Sequence, residues 1–190
     1  MKIEILQHSH NSINSVYIFR DFLDDLDYLK KITEKVALYT EKDEMNHQTN
    51  VKANMTGYKK LIEDDDFNFV HKKIMETIAI VFKLRVPSGN QKIKLTMIDS
   101  WGMRHKQGEN TATHVHTVSW ATAFYLYVPH ETNMFFEEYY SWIPLTTNSL
   151  VFFQGFTKHA VNEHIGDQDR LSMASNITHE NVPLEYKKNL

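Results

Sequence analysis

The stretch THVHTVSWATAFYLYVP, residues 113–129, sets two histidines one residue apart directly before the most apolar strand-like run of the chain. From Trp120 to Val128 aromatic, small and β-branched residues predict a strand. A strand turns successive side chains to opposite faces, so His114 and His116 are expected to share one face. Such a pair is either a metal site or a feature of the solvent-facing side, and the choice turns on a third histidine further along, His159.

Outward from this stretch the chain keeps the same character in both directions. The segments KIKLTMIDSW, TATHVHTVSW, ATAFYLYVP, NMFFEEYY, NSLVFFQG, HAVNEH and DRLSMASNI are short strand candidates separated by polar turns. Strands at this spacing predict a sandwich or barrel over about residues 91–180. Before VPSGN (86–90) the period changes. DFLDDLDYLKKITEKVALYTEK carries Phe22, Leu26, Leu29, Ile32 or Thr33, and Val36 at helical spacing behind Asp21 as candidate N-cap. DDDFNFVHKKIMETIAIVFKL does the same with Phe67, Val70, Ile74, Ile78, Val81 and Phe82 behind a run of acids. The polar segment from Lys42 to Tyr58 is a loop or lid. Helices first and strands second predict an α+β fold in one domain spanning 1–190, with helical support over about 1–90.

Composition narrows the function classes. A chain of 190 residues is long enough for one real core, and a net charge of −3 gives no footprint for a nucleic-acid backbone. The absence of cysteine removes disulfides, thiolate metal sites and cysteine nucleophiles, which leaves histidine and carboxylate as metal-binding side chains. The start MKIEILQHSHNSINSVYIF has no uninterrupted apolar region of a signal peptide, and no apolar run approaches the ~20 residues of a transmembrane helix. A cytoplasmic protein is the expectation.

Three features carry chemistry. They are the pair His114 and His116, His159 delivered by the strand–Gly turn NSLVFFQGFTKHAV, and Arg170 with Ser172 on alternate positions of DRLSMASNI, hence on one face. Two or three imidazoles hold a divalent first-row metal ion and leave positions open. A guanidinium one strand away matches the far carboxylate of a bidentate organic ligand. Ser172 adds a hydrogen bond, and Tyr125 is either a core tyrosine or a second hydroxyl on that carboxylate.

These residues resemble the Fe(II)/2-oxoglutarate-dependent oxygenases. The run SWGMRHKQGENTATHVHTVSWATAFYLYVP, followed by NSLVFFQGFTKHAVNEHIGDQDRLSMASN, is similar to the prolyl-hydroxylase-like branch, and more so to a group of phage and bacterial 2-oxoglutarate oxygenases, over roughly residues 92–177. The resemblance implies a double-stranded β-helix with N-terminal supporting helices. It implies that His114 and His159 are iron ligands and that Arg170, Ser172 and Tyr125 bind the C5 carboxylate of 2-oxoglutarate. The implied reaction is a hydroxylation using Fe(II), 2-oxoglutarate and O2, with release of succinate and CO2 and no catalytic side chain beyond the metal site. One position departs from the pattern: the family's second ligand is normally a carboxylate, and this chain has His116 there. Glu137 or Glu138 is the alternative.

Two other readings stay open, a three-histidine cupin-type metalloenzyme that does not use 2-oxoglutarate and a barrel binding module without chemistry. The remaining histidines are expected at the surface. Phe124, Phe135, Phe136, Phe152 and Phe153 are expected in the barrel core, with Trp101, Trp120 and Trp142 in core or surface packing. The acids at 63–66 are expected at a solvated helix start, and Asn110 is a weaker candidate for orienting a bound molecule. The substrate, a small molecule or a protein side chain, is not written in the sequence.

Overall fold

The computed structural model describes residues 2–8, 11–42, 49–85 and 94–179. Its elements, in chain order, are β1 (Lys2–His8), β2 (Asn11–Arg20), α1 (Leu26–Tyr39), β3 (Asn54–Met55), α2 (Asn68–Arg85), β4 (Leu95–His105), β5 (Thr111–His114), β6 (Trp120–Tyr127), β7 (Thr132–Phe136), β8 (Ser141–Leu145), β9 (Ser149–Gln154), β10 (His159–Val161) and β11 (Arg170–His179). A seven-stranded sheet, ordered β1-β2-β9-β6-β11-β4-β3, faces a four-stranded sheet, β5-β10-β7-β8. The VPSGN segment, His10, His47 and residues 43–48 of the polar loop lie outside the described residues.

The larger sheet is covered on both faces, which is why its central strands are apolar nearly throughout. Along β6, Phe124 and Leu126 pack toward the helices, whereas Ala121 and Tyr125 face the smaller sheet. Along β9, Leu150 and Phe152 take the helix side and Val151 and Phe153 the inter-sheet side. Leu29, Ile32 and Val36 of α1 and Val70, Ile74, Ile78 and Val81 of α2 complete the helix-side core at the predicted spacing. Ile32, Val36, Ile74 and Ile78 are wholly buried, and each contributes about 1.5–3 kcal/mol relative to exposure.

Two helix starts show how side chains set boundaries. The N-cap of α1 is Asp25, whose carboxylate accepts from the Tyr28 N–H at 2.9 Å, and not Asp21. The intervening Phe22 and Leu23 are buried and held in an extended turn by Asn148. The Phe22 N–H reaches the Asn148 carbonyl at 3.0 Å, and Asn148 exchanges 2.9 and 2.8 Å bonds with the Leu23 backbone. The helix therefore begins four residues late, and Leu26, expected inside, is exposed. Ahead of α2 the acids stand at a helix start but are not simply solvated: Asp64 caps a short 3-10 turn, and Asp64 and Asp66 pair with Lys35 and Lys31 of α1.

The support over 1–90 is not wholly helical, which corrects the sequence reading. β1 and β2 are antiparallel strands, and β2 extends the larger sheet by pairing with β9. Strand β8 also escaped the sequence reading because Pro144 interrupts it. It is an edge strand, where a missing N–H is tolerated. NMFFEEYY is a strand only to Phe136, after which Glu137–Tyr139 form a 3-10 turn ending in left-handed Tyr140.

Candidate metal centre

His114 and His159 face each other in the β5–β10 ladder, so strand register alone brings their rings to 4.2 Å between centroids. His116 does not ride on that strand. β5 ends at His114, and His116 sits in the following turn, pinned by its own N–H to the Gly155 carbonyl at 2.7 Å. Its ring stands 5.1 Å from His114 and 5.2 Å from His159, nearly parallel to the latter at 4°. One ring nitrogen from each of the three lies within 4.8 Å of the other two, the one grouping of three or more potential ligands found among the described residues.

Each ring is held by its other nitrogen. Nδ1 of His114 bonds the Ala112 carbonyl at 2.9 Å, Nδ1 of His159 the Thr157 carbonyl at 2.9 Å, and Nδ1 of His116 the Asn176 Oδ1 at 2.9 Å. An amide oxygen accepts only, so each Nδ1 carries the proton and each Nε2 keeps a lone pair. Burial lowers the pKa of all three, to about 4 for His116 and well below the usual imidazole value for His159. Three neutral, fixed imidazoles suit a divalent first-row metal ion.

Gly155 is what lets the His116 turn come so close. A Cβ there would lie 2.0 Å from the Val118 carbonyl oxygen and 2.9 Å from that of His116, both backbone atoms. Gly155→Ala is expected to lower stability by about 1–3 kcal/mol and to weaken metal binding at least about tenfold by displacing His116. Thermal unfolding together with metal titration checks both.

Beneath the histidines a narrow chamber of ≈ 40 Å³ is lined by Tyr125, His105, Thr111, Met134, Arg170 and Ser172. Arg170 is wholly buried, and among the described residues its guanidinium makes one hydrogen bond, from Nη1 to Thr132 Oγ1 at 3.4 Å, while Nε and Nη2 find no partner there. Burial pushes its guanidinium pKa below the usual value. A buried cation with two free donors calls for an anion, and a planar carboxylate fits the fork. Burial also raises Tyr125 to about 12, so its hydroxyl stays a donor.

The strand faces order these groups. On β11, Arg170, Ser172, Ala174 and Asn176 alternate inward, and on β4 their register partners are His105, Met103, Trp101 and Asp99. Above the histidines this wall opens into a cleft of ≈ 510 Å³ lined by Tyr58, Asp99, Trp101 and Asn176 among others, with Tyr58 set edge-on to Trp101 at 5.1 Å.

Several expectations need correction. Glu137 lies outside the cluster and pairs with Lys158 at 3.1 Å, and Glu138 shares its 3-10 turn. Neither lines the chamber or the cleft. His105 and His164 are buried, so these two are not surface residues, and His71 is half-buried with its ring reaching Ser100 Oγ at 3.0 Å. Trp101 packs in a small core with Met55 and Met103, as expected, and also lines both cavities. Asn110 lines neither cavity and instead accepts the Lys52 N–H at 2.8 Å through its backbone carbonyl.

No protein-family model and no curated protein sequence matches the chain. Solved structures do resemble it. A prolyl-4-hydroxylase from Pseudomonas putida superposes with a TM-score of 0.66 at 11% identity, covering 90% of this chain and 95% of that one. A viral collagen prolyl hydroxylase from Paramecium bursaria Chlorella virus-1, solved as its 2-oxoglutarate complex, gives 0.61 at 15% identity and covers 85% and 94%. HygX from Streptomyces hygroscopicus, with nickel and 2-oxoglutarate bound, gives 0.61 at 8% identity and covers 87% and 82%. The likeness shows the fold expected from the sequence, a double-stranded β-helix with helices on its larger sheet.

Proposed function

We propose that this chain is an Fe(II)- and 2-oxoglutarate-dependent dioxygenase of the hydroxylase type. His114, His116 and His159 hold the metal, and Arg170, Ser172 and Tyr125 hold the far carboxylate of 2-oxoglutarate. When bound, Fe(II) supplies the redox chemistry by which O2 converts 2-oxoglutarate to succinate and CO2 and oxidises a substrate C–H bond. The chain's residues supply the rest. Arg170 and the Tyr125 hydroxyl fix one end of the co-substrate, Phe136 and Phe153 wall His159 from water, and the cleft beside Trp101 and Tyr58 receives the substrate, a small molecule or a protein side chain.

The observation that carries this reading is the buried, under-bonded Arg170 in the same chamber as three imidazoles whose Nδ1 atoms are already tied. The solved structures of similar fold that hold 2-oxoglutarate support it. We read residues 1–190 as one domain working in the cytoplasm. No helix among the described residues is long and apolar enough to cross a membrane.

Anaerobic titration of the Fe(II)-loaded protein with 2-oxoglutarate tests the proposal. The weak visible charge-transfer band of the chelate is the expected result. Iron bound without that band would leave a three-histidine metalloenzyme of another kind, and no iron bound would leave a binding module.

A further inference from the structure

His116 is held differently from its two companions. Backbone carbonyls of Ala112 and Thr157 fix His114 and His159, and no side-chain change alters those bonds. His116 lies past the end of β5 and depends on a side chain, Asn176, from β11. Asn176 is in turn tied across the β11–β4 register, its Nδ2 donating to Asp99 Oδ2 at 3.1 Å.

The directions of these bonds are forced. A carboxylate accepts only, so Asp99 orients the Asn176 amide with its NH2 outward and its oxygen toward the ring. The amide oxygen also accepts only, so Nδ1 of His116 must carry the proton. Without Asp99 the amide is free to turn over, and the ring is free to place its proton on Nε2, where it blocks a metal.

We propose that Asp99 and Asn176 form a positioning relay that sets the tautomer of His116 and brings a carboxylate's charge, through two hydrogen bonds, to a centre built of three neutral imidazoles. This rests on the reading of the three histidines as metal ligands. Neither residue touches the metal position. They act through His116, as partners in the outer shell of metal sites do, where a substitution weakens metal binding by about 10–100-fold.

The test uses Co(II) alone as probe, with proton–nitrogen NMR of the metal-free protein to read the His116 tautomer. Wild type is expected to show the proton on Nδ1. Asp99→Asn is expected to give mixed tautomers and a Co(II) dissociation constant raised about 10–100-fold. The double variant Asp99→Asn/Asn176→Asp reverses the outer bond, the amide then at position 99 donating to the carboxylate at position 176, but keeps an acceptor-only group on Nδ1 of His116. It should restore both the tautomer and the affinity to within a few-fold of wild type, which a merely structural role would not do. Should Asp99→Asn fail to fold, Asn176→Leu severs the relay and is read the same way. An unchanged tautomer and affinity in Asp99→Asn overturns the relay, and so does a loss that the double variant leaves unrestored. A wild type that takes up no Co(II) sinks the ligand reading instead, and the tautomer comparison then decides the relay by itself.

Discussion

Arg170→Met is expected to change ligand affinity and ligand-free stability in opposite directions. Binding of 2-oxoglutarate should weaken about 100-fold, because a charge-assisted bidentate contact contributes about 1.5–3 kcal/mol. The ligand-free protein should become more stable, by about 1–4 kcal/mol, the range seen when buried charges give way to apolar residues of similar size. The reason is the same in both cases. Arg170 is wholly buried, and among the described residues its guanidinium makes one long hydrogen bond, to Thr132, with no partner for Nε and Nη2. Its charge is therefore a burden in the free fold and becomes favourable only opposite a carboxylate. Thermal unfolding of the metal-loaded protein with and without 2-oxoglutarate separates the two effects. Wild type should gain about 2.7 kcal/mol at a hundred times the dissociation constant, and the variant should start higher and gain almost nothing. A variant that starts lower and still responds to 2-oxoglutarate would make Arg170 a structural residue and remove the co-substrate from the proposal.

Arg170 was legible in the sequence because a strand carries its own geometry. Alternation along DRLSMASNI put Arg170 and Ser172 on one face, and the strand–Gly turn put His159 at the start of β10, whereas its meeting with His114 comes from the β5–β10 pairing. The helix spacing gave the buried faces of α1 and α2 for the same reason. What stayed hidden depends on partners far apart in the chain. His116 joins the site through a turn held by Gly155, and strand alternation alone gives its face for the wrong reason. Asn176 and Asp99 meet only once β11 has registered on β4, so nothing local marks either as part of the centre. His105 is drawn inside by that same register with Arg170. The N-terminal strands were missed because IEILQ and SVYIF are short alternating runs whose meaning comes from β9, the strand that β2 pairs with.

Buried histidines also fix how the protein responds to acid. In the unfolded chain an imidazole titrates near 6.5, whereas burial lowers His105 and His159 well below that value and His71 and His116 to about 4. These groups are neutral in the native state and protonated in the unfolded state over the interval between, so the unfolded state binds more protons there. Stability is then full above about pH 6.5 and falls as pH drops toward the folded values. Each fully depressed group contributes about 1.4 kcal/mol per pH unit. His105 and His159, 2% and 3% exposed, together should therefore lower the stability of the metal-free protein by about 3 kcal/mol at pH 5.5 relative to pH 8. His71 and His116 add in the same direction. Asp64 and Asp66 do not contribute in this window: burial raises Asp64 but its bonds from Lys35 and Tyr39 together outweigh that, and Lys31 and Lys35 hold Asp66 at about 2. Bound metal should raise the whole curve without flattening it, since it occupies only the native state, whose imidazoles are already neutral in this interval. Urea unfolding at half-unit steps from pH 8 to 5 measures the slope directly. His105→Leu should reduce that slope by one proton whatever it does to the absolute stability, because it deletes one depressed group and leaves the three imidazoles of the centre in place. An unchanged slope in His105→Leu would mean that His105 is already charged in the native fold, against its burial beside Arg170.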